Sequence, residues 1–110
     1  MTWMSEEFLD EAGRSPFARW YGRLPAPAAA KVTTALYRLA AGNTSNVKSV
    51  GHGVHELRID FGPGYRVYFG ADGEIMIILL GGGSKSGQQQ DIERAWRRWA
   101  EYKRRKRTLR

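Results

Sequence analysis

The sequence predicts a small α+β fold: an antiparallel β-sheet meander with an N-terminal helical hairpin before it and a C-terminal helix after it. Three observations predict it. Apolar residues recur at helical spacing through residues 16–41, alternate at strand spacing through 54–80, and return to helical spacing from Gln89 onward. Helices and strands are thus segregated along the chain, with no alternating strand–helix–strand units, which is the α+β arrangement.

The first stretch, Ser5–Ala12, carries Phe8 and Leu9 in an acidic context that fits either a short edge strand or a frayed helix. A turn follows at Gly13-Arg14-Ser15-Pro16. Ser15 is placed to cap a helix whose first position is Pro16, a residue with no N–H to leave unsatisfied. Phe17, Trp20, Tyr21 and Leu24 form its core face. Pro25 and Pro27 end that helix and begin the next, Ala28 to Ala41, with Ala29, Val32, Leu36 and Leu39 as one apolar stripe and Gly42-Asn43 as its stop. Thr44–Ser49, containing Lys48, reads as a loop.

Three strands are expected next: Val54–Phe61, Tyr65–Gly70 and Glu74–Leu80, joined by Gly62-Pro63-Gly64 and Ala71-Asp72-Gly73. Side chains alternate between faces along a strand, so parity sorts them. Leu57, Ile59 and Phe61 share one face with Tyr65, Val67 and Phe69; Glu56, Arg58 and Asp60 share the other with Arg66 and Tyr68. The third strand is apolar at both parities and is expected to be covered on both sides. Gly81–Gly87 then reads as a glycine-rich connection to a final helix, from about Gln89 to Arg104. In that helix Ile92, Trp96 and Trp99 face the body and Arg94, Arg97 and Arg98 face outward.

One domain, residues 1–104, is expected, followed by a basic tail, 105–110. The charge is unevenly placed. Arg94–Arg110 carries nine basic side chains and one acid, so the other 93 residues sum to −1 although the whole chain is +7. Arg58 and Arg66 are therefore placed by strand parity and not by a general basic excess. A basic tail attracts nucleic acid or an acidic partner without sequence preference; a solvated helix end is the other reading of it.

Composition excludes several chemistries. There is no cysteine, hence no disulfide, thiolate metal site or thiol nucleophile, and the two histidines, His52 and His55, are too few for a His-rich metal site. Both are read as structural in preference to acid–base groups. No apolar run approaches the roughly 18 residues of a membrane span, and MTWMSEEFLDEAG lacks the basic-then-apolar pattern of a signal peptide. A cytoplasmic location with no membrane partner is expected. The run GGGSKS invites comparison with a phosphate-binding loop, but Ser84 and not glycine precedes Lys85, and no parallel unit surrounds it. Glu56, Asp60 and Arg58 also fit an ordinary cross-strand ladder of opposite charges.

GVHELRIDFGPGYRVYF, the apolar strand after it, LLGGGSKSGQQQDIERA, and the upstream Ala41-Gly42-Asn43 with Val47-Lys48 together resemble the RelE/ParE superfamily of bacterial toxin–antitoxin toxins. Within it they resemble the phage-derived addiction module killer proteins grouped with HigB, over about residues 16–100. The resemblance implies a RelE-like fold and the toxin of a type II toxin–antitoxin module. It also implies a metal-independent, ribosome-dependent mRNA endoribonuclease without cofactors, whose partners are mRNA, the ribosome and a cognate antitoxin, expected to be a helix-turn-helix protein. In such a reaction the ribose 2′-OH attacks the adjacent phosphorus, and cations stabilise the phosphorane.

Matched residue by residue, Arg66 in GYR is the strand arginine of the family and the expected phosphate-stabilising group, with Arg58 and Lys85 at nearby basic positions of the catalytic set. Lys48, Arg104 and Arg105 are expected to contact the RNA backbone. Tyr68, placed by parity beside the arginines, is expected to stack on a base or relay a proton. Two departures stand out: Glu56 occupies a position where RelE has lysine, and Gln90-Asp91 falls where RelE supplies a tyrosine. Two other functions follow from these departures and from the tail. One is a non-enzymatic toxin that binds a protein such as DNA gyrase, and the other an inactive, toxin-like antitoxin or DNA-binding protein.

Overall fold

A computed structural model describes residues 2–109. In chain order the elements are β1 (Met4–Glu7), α1 (Pro16–Gly22), α2 (Ala26–Ala40), β2 (Val47–Gly51), β3 (Val54–Ile59), β4 (Tyr65–Asp72), β5 (Met76–Ser84), a 3₁₀ turn (Lys85–Gly87) and α3 (Gln88–Thr108). The five strands form one sheet in the order β1-β5-β4-β3-β2. The expected α+β class, the helical hairpin, the β3–β4–β5 meander and the closing helix are all present.

The strand parities hold. Leu57, Ile59, Val67, Phe69, Ile77 and Leu79 form one buried cluster with Phe17 of α1 and Val32 and Leu39 of α2. Val54, Tyr68, Ile78 and Leu80 form a second cluster on the opposite face with Ile92, Ala95 and Trp99 of α3. The sheet is a middle layer, and β5 is apolar on both faces because both are covered. Ser15 caps α1 through its side chain, accepting from the Ala18 N–H at 2.9 Å.

Besides shifts of one or two residues at the ends of α2, β3, β4 and β5, four segments differ from the sequence reading, each for a physical reason. The first stretch forms an edge strand only at Met4–Glu7, β1, paired in parallel with β5 from Met4↔Met76 to Glu7↔Leu79; all four of its residues are exposed, so no alternation marked it. The sheet is therefore an antiparallel meander with one parallel edge strand. The segment with Lys48, read as a loop, is the opposite edge strand β2, too short and interrupted by a register shift at Ser49/Gly51 to show a pattern. Gly81–Ser84, read as a connection, continues β5 in register with β4 from Tyr68↔Gly81 to Tyr65↔Ser84. Its amides belong to a strand, not to a phosphate cradle. Finally, α3 reaches Thr108, four residues past the expected end.

The glycines of β5 are explained by what presses on them. A Cβ on Gly82 would run into the indole of Trp20 from α1, and one on Gly83 into the Asp91 carboxylate from α3. Glycine lets both flanking helices close directly onto the strand. Arg98, expected to face outward, instead turns in and donates from Nη1 to the Leu80 carbonyl at 2.9 Å.

The last turns of α3 are tied to the body. Arg105 Nη1 donates to the Leu9 carbonyl at 2.6 Å, Lys106 pairs with Asp72, and the Tyr102 hydroxyl donates to Asp72 at 2.6 Å. Truncation after Arg104 removes two of these ties and is expected to lower stability by about 1–2 kcal/mol, read as a shift in urea midpoint. An unchanged midpoint would show the tail to be independent of the domain.

Candidate active site

Adjacent strands bring together side chains that are far apart in sequence. On the α3 side of the sheet one cross-strand row runs Lys48, Glu56, Tyr68, and the next runs Arg58, Arg66, Gly83. Arg58 and Arg66 are direct ladder partners. Like charges placed opposite each other are destabilising on a sheet, so this juxtaposition is a cost that ordinary strand packing does not require.

The centre of the site is Glu56. It is 1 % exposed, and a carboxylate that deep must be paired and hydrogen-bonded. One oxygen accepts from Gln88 Nε2, at the start of α3, at 2.7 Å. The other lies 3.7 Å from Arg66 Nε and 3.9 Å from Lys48 Nζ. Those separations give charge attraction without a hydrogen bond. Arg66 is itself buried; its Nη1 donates to the Gly64 carbonyl at 2.6 Å, which fixes the guanidinium against the β3–β4 turn. Its Nε has no hydrogen-bond partner among the described residues.

A cleft of about 150 Å³ opens at this point, lined by Ser45, Asn46, Val47, Lys48, Glu56, Arg58 and Arg66. Arg58 and Lys48 are exposed at its rim, whereas Glu56 and Arg66 are set at its base. The arrangement offers one carboxylate able to take a proton and three cations able to hold an oxyanion. Guanidinium groups suit phosphate because they present paired donors in a planar fork.

Of the residues expected from sequence, Arg66, Arg58 and Lys48 meet in this cleft. Lys85 does not line it. It opens the 3₁₀ turn beside Gly64, where a Cβ on that glycine would lie 3.1 Å from Arg66 Nη1 and 3.7 Å from Lys85 Cβ. Tyr68 requires correction: its ring is 1 % exposed within the cluster under α3, so no face is open to stack on a base. Parity located it on the right face, but α3 covers that part of the face. Burial, with the Glu56 and Asp91 carboxylates nearby, raises its pKa and keeps the phenol protonated. Arg104 and Arg105 lie roughly 25 Å along α3 from Gln88, at 1.5 Å per residue. They are paired with Glu101 and do not join the cleft.

The histidines are also elsewhere. His52 tilts over Trp96 with ring centroids 4.3 Å apart, and His55 stacks on Phe69 at 5.4 Å. Sequence reasoning treated Glu56 as a ladder partner and did not single out Gln88. The signal for Glu56 was available, since it shares parity with both arginines. Gln88 lies in a Gly-Gln run with no periodicity to place it.

The family model "Phage derived protein Gp49-like (DUF891)" matches residues 19–100, a span that includes every residue of the cleft. An uncharacterized protein of Haemophilus influenzae (strain ATCC 51907 / DSM 11121 / KW20 / Rd) is 45% identical over 80 residues, which cover 72% of this chain and 81% of that protein. The chain belongs to the Gp49-like family of phage-derived proteins, a RelE-like family of toxin–antitoxin toxins.

Proposed function

We propose that this protein is the toxin of a type II toxin–antitoxin module and acts as a metal-independent endoribonuclease on ribosome-bound mRNA. The observation that carries the reading is the Glu56 carboxylate held between Arg66 and Lys48 at the base of a cleft that Arg58 also lines. Glu56 takes the proton from the ribose 2′-OH, and the freed oxygen attacks the neighbouring phosphorus. Arg66 and Arg58 hold the two non-bridging oxygens as negative charge builds on the phosphorane. The P–O5′ bond breaks, leaving a 2′,3′-cyclic phosphate, and the departing 5′ oxygen takes a proton from the Lys48 ammonium at the rim. Lys85, beside Gly64, contacts the RNA backbone outside the cleft. The module's antitoxin, expected to be a small helix-turn-helix protein encoded by an adjacent reading frame, is the protein partner.

The test is primer extension on cellular mRNA after induction, which is expected to show new in-frame breaks. Glu56→Gln keeps the shape and the Gln88 contact but cannot accept the proton, and is expected to slow cleavage about 10²- to 10⁴-fold. Growth arrest with intact mRNA would overturn the reading and leave a protein target such as gyrase, identified by rescue with a resistant gyrase.

A further inference from the structure

A larger concavity than the cleft lies away from it, at the other side of β5. β1 pairs with β5 only as far as Leu79, and the Phe8 N–H makes the last contact, to the Leu79 carbonyl at 2.9 Å. Beyond it, Gly81–Ser84 is bonded to β4 on one side and, among the described residues, has no strand on the other. That open edge floors a groove of about 890 Å³ walled by α1 and α3.

Both walls are rich in arginine: Arg19 of α1 with Arg23 capping its end, and Arg94, Arg97 and Arg98 from α3. Three of the groove's four acids are already engaged; the fourth, Glu11, is exposed. Asp91 pairs with Arg94, Glu101 with Arg104 and Arg105, and Asp10 accepts from the Ala12 and Arg14 amides of its own loop. Arg19, Arg23 and Arg97 make no ion pair within 4 Å among the described residues. The crowding has a cost: burial first, then the like charges of Arg94 and Arg97, lowers the pKa of Arg98. An anionic occupant would relieve it.

We infer that this groove binds an acidic, extended segment of a partner protein, which adds as a strand to the open edge of β5 where β1 leaves off. Two features select a peptide over RNA. An unpaired strand edge presents N–H and C=O groups alternately, and its carbonyls need donors that an RNA phosphate lacks and a peptide backbone supplies. An added strand also sends side chains to both faces, where acids at either parity meet arginines from α1 or α3. The inference does not depend on the reaction assigned to the cleft.

The experiment uses the full-length protein and a fluorescein-labelled nine-residue peptide of Glu and Thr with acids at both parities, followed by anisotropy and amide hydrogen exchange. Binding is expected, with slowed exchange confined to Gly81–Ser84. Arg23→Glu or Arg97→Glu, both exposed positions, should weaken it tenfold or more. The same peptide with alternate backbone nitrogens methylated keeps its charge but cannot complete the ladder, and should not bind. Absence of binding, equal binding of the methylated peptide, or the same protection from an oligouridylate of equal charge would each overturn the inference; the last would make the groove an RNA site.

Discussion

Replacing Arg66 by alanine is expected to reduce mRNA cleavage by at least 10²- to 10³-fold, the range for removal of one preorganised donor from a developing oxyanion. Arg66 is the one cation of the cleft that is both buried and fixed, by its bond to the Gly64 carbonyl; Arg58 and Lys48 are exposed at the rim. Its removal also strips Glu56 of its nearest charge partner at 3.7 Å. Breaking a buried pair from one side costs about 3–5 kcal/mol, so lost activity alone would not separate chemistry from folding. The double variant Arg66→Ala with Glu56→Gln removes the uncompensated charge and is expected to recover most of the stability and none of the activity. Arg66→Lys keeps the charge without the planar fork and should fall between wild type and Arg66→Ala. If the double variant regains cleavage along with its urea midpoint, Arg66 is a structural residue and the proposed chemistry fails.

How far the site was legible follows from what each strand faces. Arg58 and Arg66 could be placed on one face because β3 and β4 have their other face on the α1–α2 layer, which imposes strict alternation; that they are direct partners came from the structure. The same logic reached Tyr68 but stopped short of its burial, since alternation identifies a face and does not say how far a helix extends over it. Lys48 and the β1 residues sit on short edge strands with little apolar content, and nothing in their pattern distinguishes strand from loop. Gly81–Ser84 failed for the opposite reason. Glycine usually signals a turn, whereas here its missing side chain is filled by Trp20 and Asp91, contacts between segments some sixty and eight residues away that no local pattern records. Glu56 was legible as a cross-strand ladder partner, and it does pair with Lys48 and Arg66; its depth was not legible, because alternation carries no record of burial.

Gly70→Ala is the substitution expected to have the largest effect on stability, a loss of about 2–4 kcal/mol, near the upper end for overpacking. The cause is not backbone freedom, since Gly70 has no left-handed φ. A Cβ there would lie 2.5–2.6 Å from three atoms of the Trp99 indole. The ring has nowhere to go: Trp99 is buried and stacked on Tyr102 with centroids 5.3 Å apart and planes 6° from parallel. A Cβ on Gly53 would likewise come within 2.8 Å of its Nε1. The methyl group must therefore push α3 off the sheet or force the indole out of its rotamer. For a domain whose total stability is about 5–15 kcal/mol, this predicts a fall in Tm of roughly 8–32 °C, at about 4–8 °C per kcal/mol. The clash makes a sharper forecast than the loss itself. In a Trp99→Leu background, where the smaller side chain leaves room, the added cost of Gly70→Ala should drop below about 1 kcal/mol, giving a coupling energy of 1–3 kcal/mol. An undiminished cost in that background would rule out the indole as the cause. Lifting α3 would also withdraw Gln88 from Glu56, so Gly70→Ala should impair cleavage at temperatures where the protein is still folded, although Gly70 touches no group of the cleft.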